Sequence, residues 1–370
     1  MGLSRRGFVF SAAAMAAVPV FSEGALAELA AAPVPANAPD VWLRLSNNEN
    51  AWGPCSGACE AVAKAAPRGF RYPQGLRVIL RDKLAKFHDV DPEMIVIGNG
   101  SGEILRMAVS AFVTPKRRLV TPDPTFEACF KYAAVFGGQT EKVALTPGDF
   151  RHDVAKMTAV KDAGLIYVCN PNNPTASITP KKEVDALVAG LPKGSIALVD
   201  EAYYHFVDDP SYESALKHVV AGKDVVLART FSKVYGLAGY RIGYAVARKD
   251  LAEALRRHQL DNNTNAMGLE AAIASLGVAD LVPRNREKTK NSQRILTDFL
   301  DRNKLVYAPA HANFVFFNIH KPVEPVIKAF RERGVEIGRP FPPLGEWLRV
   351  SVGTEEEMRS FLREYQALKV

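Results

Sequence analysis

Four short segments of the sequence carry residue types that can bind a phosphate or move a proton. Residues 98–103 read GNGSGE, residues 169–175 read CNPNNPT, residues 199–203 read VDEAY, and residues 229–241 read RTFSKVYGLAGYR. A glycine-rich loop lets backbone N–H groups approach an anion at the start of a helix. Lys233, set among hydroxyl groups and glycines with Arg241 eight residues further on, suits a cofactor that bears both an aldehyde and a phosphate.

Taken one at a time, each of these segments is also compatible with a different role. The glycine loop could belong to a dinucleotide site, although its glycines lack the required spacing and no P-loop lysine follows. The Asn- and Pro-rich turn could be purely structural, Asp200 could cap a helix, and Lys233 could lie on the surface. Their positions after apolar runs favour a site, because ligands of open α/β sheets bind at the carboxyl ends of the strands.

The elements that must position these segments are strands that alternate with helices. The predicted strands cover residues 94–98, 118–122, 139–143, 165–169, 196–200, 225–229 and 241–247. Helical periods lie between most of them, as at 102–112 and 180–190. This alternation indicates a mostly parallel sheet covered by helices. After about residue 250 the pattern changes to helices at 250–260 and 285–303, strands at 313–319 and 348–352, and a terminal helix from Thr354. It predicts a second, α+β domain.

In this order and spacing, the motifs GNGS, NPxNPT, DxAY and SKxxGxxGxR resemble those of the class I and II aminotransferases. RYP at 71–73, TPDPTF at 121–126 and LRVSVGT at 348–354 look most like the histidinol-phosphate aminotransferase branch. The resemblance covers about residues 41–365. It implies the α/β architecture of fold type I pyridoxal-phosphate enzymes, a mostly parallel seven-stranded sheet with helices on both faces and a smaller α+β domain. We expect the large domain over 59–250 and the small domain over 251–370.

The resemblance also implies roles around pyridoxal 5′-phosphate. Lys233 would carry the cofactor as a Schiff base and act as general base and acid. Asp200 would pair with the pyridine nitrogen, and Tyr203 and Asn173 would hydrogen-bond the phenolate oxygen. Tyr72 would reach the phosphate of a neighbouring subunit, which implies a homodimer with shared active sites. The other cofactor-binding positions, which stack on the ring or hold the phosphate, are Ser101, Gly102, Phe126, Thr230, Ser232 and Arg241.

The substrate region departs from the pattern of the branch. Arg349 matches the arginine that binds the substrate carboxylate or, in the histidinol branch, a substrate phosphate. Trp52 stands where a tyrosine is usual, Gly102 stands where the branch usually carries Asp, and Arg339 is offset by one residue. These departures argue against histidinol phosphate as substrate. They leave the predicted cofactor-binding residues unaffected. The candidate substrate residues are Arg349, Arg339, Asn50, Trp52 and Asn313.

The first 27 residues have the features of an export signal. Arg5 and Arg6 precede an Ala-rich apolar stretch over 8–21, and Ala25-Leu26-Ala27 has the small-x-small pattern of a cleavage site. This order is typical of a twin-arginine signal peptide. Residues 28–58 follow as an arm and linker. We predict a periplasmic or secreted protein that uses the twin-arginine export machinery and is not stably inserted in a membrane. An uncleaved cytoplasmic protein with an Ala-rich helix is the alternative.

The composition is that of an ordinary soluble globular protein. Of 370 residues, 48% are apolar and 24% are charged. The net charge of +7 comes from short basic runs such as Lys116-Arg117-Arg118, so no nucleic-acid partner is expected. Four cysteines and seven histidines show no zinc-binding spacing, so no metal is expected. Cys55 and Cys59 could pair, but free thiols are expected.

The sequence therefore predicts an aminotransferase that moves an amino group between an amino acid or amine-bearing metabolite and a 2-oxo acid. Other pyridoxal-phosphate reactions on the same scaffold, such as β-elimination by a C–S lyase, decarboxylation or racemisation, are alternatives. A non-catalytic ligand-binding protein is another. The motifs bind the cofactor and do not decide the outcome of the reaction.

Overall fold

A computed structural model of the chain describes residues 41–369. The predicted export signal over 1–27 and the first part of the predicted arm, 28–40, lie outside the described residues. The strands of the described part are β1 (Leu43–Leu45), β2 (Ile95–Asn99), β3 (Arg118–Asp123), β4 (Thr140–Ala144), β5 (Ala163–Cys169), β6 (Ile196–Asp200), β7 (Val225–Thr230), β8 (Ile242–Ala247), β9 (Phe314–Asn318), β10 (Val335–Ile337) and β11 (Trp347–Ser351). The helices are α1 (Ser56–Ala65), α2 (Gln74–His88), α3 (Ser101–Phe112), α4 (Ala128–Val135), α5 (Val154–Ala159), α6 (Lys181–Ala189), α7 (Leu216–Val220), α8 (Lys249–Arg256), α9 (Ala266–Ser275), α10 (Leu281–Arg302), α11 (Val323–Glu332) and α12 (Glu355–Ala367).

A seven-stranded sheet with the order β2-β8-β7-β6-β5-β3-β4 forms the centre of the described part. Strands β3 to β7 pair in parallel, and β8 runs antiparallel to its neighbours β2 and β7. Strands β5, β6 and β7 are buried along their whole length. Their continuous apolar sequences are what a sheet covered on both faces requires. The predicted mostly parallel sheet of seven strands is confirmed.

Side chains of the central strands alternate between two apolar cores. In β6, Ala197 and Val199 belong to one core, while Ile196 and Leu198 belong to the core on the other face. This alternation follows from the two-residue period of a β-strand. Helices α1, α2 and α9 contribute to the first core, and α3 contributes to the second. The sheet is therefore a rigid layer whose edge can hold side chains in fixed positions.

The inverted strand β8 adds its first residues to the edge at which the parallel strands end. Ile242 pairs with Asn99, the last residue of β2, and Gly243 pairs with Thr230, the last residue of β7. Arg241 directly precedes β8, so it lies beside the ends of both neighbouring strands. At the same edge, Asp200 ends β6 next to Cys169 of β5. The direction of β8 thus brings Arg241 to the carboxyl ends of its neighbours.

Two small sheets lie apart from the seven-stranded sheet. Strands β9 and β11 pair antiparallel, and β1 pairs in parallel with β10. Leu43 and Leu45, in the segment predicted to be an arm, are buried in an apolar core with residues such as Phe317 and Val350. That part of the arm is therefore a strand of the C-terminal core. The domain boundary near residue 250 stays a prediction.

Local signals account for several helix boundaries. Thr354, where the terminal helix was expected to start, is the N-cap of α12, and its hydroxyl oxygen accepts a hydrogen bond from the Glu357 backbone N–H at 3.2 Å. The Glu357 carboxylate accepts from the Thr354 backbone N–H at 2.6 Å, which completes a capping box. Cys55 and Cys59, at the start of α1, are free thiols. Between residues 41 and 369, no helix combines the length and apolar character needed to cross a bilayer.

Candidate active site

A cavity of about 530 Å³ lies at the carboxyl ends of the parallel strands. Most of the residues predicted for the site line it together. They are Ser101, Gly102, Phe126, Asn173, Asp200, Tyr203, Thr230, Ser232, Lys233, Arg241, Arg339 and Arg349. Segments up to 302 residues apart in the chain meet here, from Asn47 to Arg349. The lining holds both acidic and basic groups.

Lys233 follows the end of β7, and its amine reaches into this cavity. Nζ donates to the backbone oxygens of Asn48 at 3.0 Å and Asn47 at 3.3 Å, and it lies 5.4 Å from the centre of the Tyr203 ring. Burial and the positive charge of Arg349 lower the pKa of Lys233 to about 8. An appreciable fraction of the amine is therefore neutral, and nucleophilic, near neutral pH.

Asp200 ends β6 and is buried beside the same cavity. Its Oδ2 accepts a hydrogen bond from the Tyr167 hydroxyl at 3.1 Å, and its Oδ1 accepts from the Ala202 backbone N–H at 3.1 Å. Burial raises the pKa of Asp200 to about 6, and these two hydrogen bonds oppose that rise. At neutral pH the carboxylate is therefore mostly ionised, with both of its oxygens held in place.

A buried ion pair fixes the turn that follows Asp200. The carboxylate of Glu201 and the guanidinium of Arg229 lie 2.8 Å apart, with side-chain exposures of 1% and 4%. Glu201 also accepts from the Ala215 backbone N–H at 2.7 Å and from the Ser214 hydroxyl at 2.9 Å. The motif DEAY therefore has two functions, because its second acid is a structural partner of the next strand while its first faces the cavity.

Arg349 is a buried cation at the wall of the cavity. Its Nη1 donates to Asn173 Oδ1 at 2.6 Å, and its Nη2 donates to the Ser46 backbone oxygen. Its Nε has no acceptor among the described residues. Burial lowers the pKa of Arg349 to about 10. A desolvated guanidinium at the wall of a cavity is a binding group for an anion, because an anion in the cavity would supply the compensating charge.

The start of α3 forms an anion cradle with Arg241. Gly100, at φ +77°, is the N-cap of α3, and no side chain caps the first N–H groups of this helix. A Cβ atom at Gly100 would overlap the Arg241 guanidinium, and one at Gly243 would overlap the Ser101 backbone nitrogen. The two glycines thus let a cation and a helix N-terminus lie side by side. Together with the hydroxyls of Thr230 and Ser232, 2.9 Å apart, this cradle fits a phosphate group.

Four predicted site residues lie outside the cavity lining. Tyr72 is 73% exposed, and the Lys288 amine lies over Trp52, 6.0 Å from the centre of its ring. Asn50 donates to the backbone oxygens of residues 233 and 234, and Asn313 donates to those of residues 48 and 49. Both asparagines therefore connect the N-terminal segment to the site. Their predicted contact with substrate stays a prediction.

Arg339, the residue offset in the sequence, does line the cavity. Its guanidinium lies 2.7 Å from the Glu127 carboxylate and 4.4 Å from the centre of the Phe341 ring. Half of this side chain is exposed, in contrast to buried Arg349. The two arginines are therefore not equivalent, because only Arg349 is desolvated.

Several lining residues were not among the predicted ones. Asn47, Asn48, Glu49 and Cys169 line the cavity directly, and Tyr167 contacts it through Asp200. Asn48 lies two residues before the predicted substrate residue Asn50, but its hydrogen bonds to distant residues have no local signal. The aromatic ring of Tyr167 resembles any other residue of a core strand. Tyr167 lies two residues before Cys169, which pairs with Asp200, so the Tyr167 and Asp200 side chains lie on the same face of the sheet. This alternation is the one signal that could have indicated the contact.

An amine of lowered pKa, a buried carboxylate and a phosphate cradle in one cavity define a pyridoxal-phosphate-dependent enzyme of fold type I. The chain belongs to the class I and II aminotransferases, since the model of that family, "Aminotransferase class I and II", matches residues 40–364. Its cofactor is accordingly pyridoxal 5′-phosphate, and the resemblance seen in the sequence is confirmed at the level of this family.

Relatives with similar sequences are named histidinol-phosphate aminotransferase. The one from Moorella thermoacetica is 36% identical over 326 residues, which cover 87% of this chain and 84% of the relative. The one from Symbiobacterium thermophilum is 34% identical over 329 residues, with 88% and 90% covered. A solved structure of histidinol-phosphate aminotransferase from Sinorhizobium meliloti, in complex with pyridoxal-5′-phosphate, superposes with a TM-score of 0.80 at 26% identity, covering 89% of this chain and 92% of that one.

Proposed function

We propose that this aminotransferase moves the amino group of an amino acid, or of another amine-bearing metabolite with an anionic group, to a 2-oxo acid. The observation that carries this proposal is the shared cavity of Lys233, Asp200 and Arg349. The first two are groups that can move or hold a proton, and the third is a desolvated cation that can attract an anion into the same cavity.

The residues present fit the cofactor. Bound pyridoxal phosphate supplies a carbonyl that reacts with amines and a ring that accepts the electron pair left on the substrate carbon. Asp200 would hold a proton on the ring nitrogen, because a buried carboxylate favours a neighbouring positive charge. Tyr203 would donate to the phenolic oxygen. The residues that would hold the phosphate are Ser101, Gly102, Thr230, Ser232 and Arg241.

Lys233 would move the proton that distinguishes transamination from simple binding. Its Nζ would take a proton from the substrate carbon that bears the amine and return it two atoms further along, to the carbon that the cofactor carbonyl contributes. A group with a pKa of about 8 can both accept and release a proton near neutral pH, which is the requirement for a general base and acid. The nearby backbone oxygens of Asn47 and Asn48 would hold the amine in place between these steps.

Arg349 would bind the anionic group of donor and acceptor in turn. Its fixed position, held by Asn173 and Ser46, favours substrates that place a carboxylate or phosphate at one distance from the reacting carbon. The names of the relatives support histidinol phosphate as a candidate donor. The substitutions at Trp52 and Gly102, and the ion pair of Arg339 with Glu127, favour a different donor.

The test uses the purified enzyme with its cofactor and one substrate at a time. An amino donor alone should convert the bound cofactor to pyridoxamine phosphate, detected by mass spectrometry, and a 2-oxo acid such as 2-oxoglutarate should reverse this. A panel of amino acids, with histidinol phosphate included, identifies the donor. Release of ammonia, or of carbon dioxide, without pyridoxamine phosphate would overturn the proposal in favour of elimination or decarboxylation.

Two variants separate the roles of the cavity residues. Lys233→Ala should abolish turnover and the visible absorbance of the cofactor–lysine link while the fold persists. Arg349→Ala should raise KM for both substrates with little change in cofactor affinity. Arg359→Ala is the matched control, because this surface arginine is 61% exposed and forms an ion pair with Glu355 of its own helix, away from the cavity. Equal effects of the two arginine variants would contradict the role of Arg349.

We also propose export through the twin-arginine pathway, which rests on the paired arginines, apolar stretch and cleavage pattern of residues 1–27. A folded enzyme that acquires its cofactor before export suits this route. Fractionation of cells, with sequencing of the mature N-terminus, provides the test. An uncleaved protein found only in the cytoplasm would overturn the proposal.

We propose in addition a homodimer in which Tyr72 reaches the partner's cradle. Two aromatic residues of one segment, Phe70 and Tyr72, are 76% and 73% exposed, which supports a surface that is covered in the assembly. Light scattering should give a dimer, and Tyr72→Phe should weaken cofactor binding. A monomer with full cofactor affinity would overturn this assignment.

A further inference from the structure

Asn48 contacts both Lys233 and Tyr203 from a strained position. It is 1% exposed and has a left-handed backbone with φ +54°. Its backbone oxygen accepts from Lys233 Nζ at 3.0 Å and from Asn313 Nδ2 at 3.0 Å. Its side-chain Nδ2 donates to the Tyr203 hydroxyl oxygen at 3.1 Å. A non-glycine residue in this backbone region costs energy, so the surrounding contacts must hold it there.

The orientation of the Asn48 amide follows from its contacts with Ser351. The Ser351 hydroxyl oxygen accepts from the Asn48 backbone N–H at 2.8 Å. Its single proton is donated to Asn48 Oδ1, with an oxygen–oxygen distance of 3.1 Å. If the amide were reversed, this buried proton would face an NH2 group and lose its acceptor. The hydrogen-bonding of Ser351 therefore directs the amide Nδ2 toward Tyr203.

The direction of this hydrogen bond decides where the Tyr203 proton goes. A tyrosine hydroxyl has one proton to donate, and here its oxygen accepts from Asn48. Among the described residues, that proton has no acceptor, while Tyr203 lines the cavity. Burial raises the pKa of Tyr203 above its usual value, so the proton is retained at neutral pH. It is available to whatever oxygen occupies the cavity.

We propose that Asn48 is a positioning residue that acts through Tyr203. Asn48 donates a hydrogen bond to the tyrosine oxygen, so the tyrosine proton is left to be donated to the phenolic oxygen of the cofactor. The proposal rests on the cofactor-binding role of Tyr203 in the proposed function. A hydrogen bond donated to a phenolate favours its anionic form. Asn48 should therefore lower the pH midpoint at which the visible absorbance of the bound cofactor changes.

The test reverses the direction of the hydrogen bond. In Asn48→Asp the new carboxylate can only accept when ionised, so the Tyr203 proton turns toward residue 48. Asp tolerates a left-handed backbone almost as well as Asn does, and the Ser351 hydroxyl can still donate to it, so the fold should persist. The midpoint of the absorbance titration should then rise, by about one pH unit, which is about tenfold in the acid dissociation constant.

A second background separates the hydrogen bond from the added charge. The charged or titratable groups around Tyr203 are Lys233, Asp200, Arg349 and Cys169, and a carboxylate at residue 48 acts on all of them. Asn48→Asp is therefore measured again in Tyr203→Phe, where only the charge effect remains. The rise should be clearly smaller in that background. An equal rise in both backgrounds would overturn the inference.

Asn48→Gly is the control for the loss of the amide. Glycine keeps the left-handed backbone and the backbone oxygen that accepts from Lys233, and it leaves the Tyr203 proton free. Because the Tyr203 hydroxyl then loses the donor that orients it, the midpoint should rise above that of the unchanged protein, but by less than in Asn48→Asp. No rise at all would show that the amide has no effect and would overturn the inference. A rise as large as that of Asn48→Asp would show that direction is irrelevant and would also overturn the inference. If the unchanged protein shows no cofactor absorbance at all, the proposed function itself fails.

Discussion

Replacing Tyr167 by phenylalanine should reduce the negative charge at Asp200 without disturbing the fold. Tyr167 is fully buried, and its hydroxyl donates to Asp200 at 3.1 Å. Because the pKa of Asp200 is about 6, about ten protein molecules carry it ionised for each one that carries it protonated at pH 7. A hydrogen bond to a charged group is worth about 1.5–3 kcal/mol, which is about a 10- to 100-fold change in acid dissociation. Tyr167→Phe should leave between about one half and one tenth of Asp200 ionised at pH 7.

The pH dependence of pyridoxal-phosphate binding to the cofactor-free enzyme measures this effect and its sign. The ionised carboxylate favours a protonated ring nitrogen, so affinity is lost as the pH falls through the pKa of Asp200, and a higher pKa moves this acid limb to higher pH. At pH 7, affinity should fall by roughly two- to tenfold, and recover as the pH is raised. The melting temperature should change little, since the phenylalanine ring fills the same space. An acid limb at its original pH, with cofactor affinity unchanged, would refute the role assigned to Tyr167.

Three further outcomes follow from the site. Because the pKa of Lys233 is about 8, the rate at which cofactor-free enzyme captures pyridoxal phosphate should rise about tenfold between pH 7 and pH 9 and then level off; a stopped-flow rate still rising steeply above pH 10 would contradict this. Gly100→Ala should weaken cofactor binding at least tenfold by equilibrium dialysis, because its methyl group would displace Arg241, and unchanged affinity would mean that the cradle adapts. Arg229→Met should lower the free energy of unfolding, measured in urea, by about 3–5 kcal/mol, because Glu201 is left buried without its cationic partner. A loss below about 1 kcal/mol would show that the carboxylate finds other partners or becomes protonated.

Much of the sheet could be predicted because its strands carry their own signal. The pattern of β6 predicts its observed bounds, and the predicted starts or ends of β2 and β7 differ from the structure by one residue. The three-residue strands β1 and β10 were not predicted. They pair across about 290 residues of chain, and three residues are too few to show a period. Likewise, the sequence of β8 predicts a strand but contains nothing that sets its direction.

The candidate site likewise contains some residues that the sequence predicts and others that it does not. Lys233, Asp200 and Arg241 follow apolar strands within motifs of unusual composition, so their location at one edge could be expected. The part played by Asn48 could not, because it depends on a backbone oxygen and on a hydroxyl 155 residues away in the chain. Tyr167 was hidden for a different reason, since a strand aromatic is usually only a core residue.

The connection between β7 and β8 holds both Lys233 and Arg241, and antiparallel pairing of the two strands fixes its ends. In its middle, a Cβ atom at Gly236 would overlap the main chain of Gly53, so there is little room for a bulge. Adding or deleting a residue here would change the separation of the amine and the guanidinium, and one cofactor could no longer reach both. Evolution should therefore vary the side chains of this connection far more freely than its length, unlike loops that do not border the cavity.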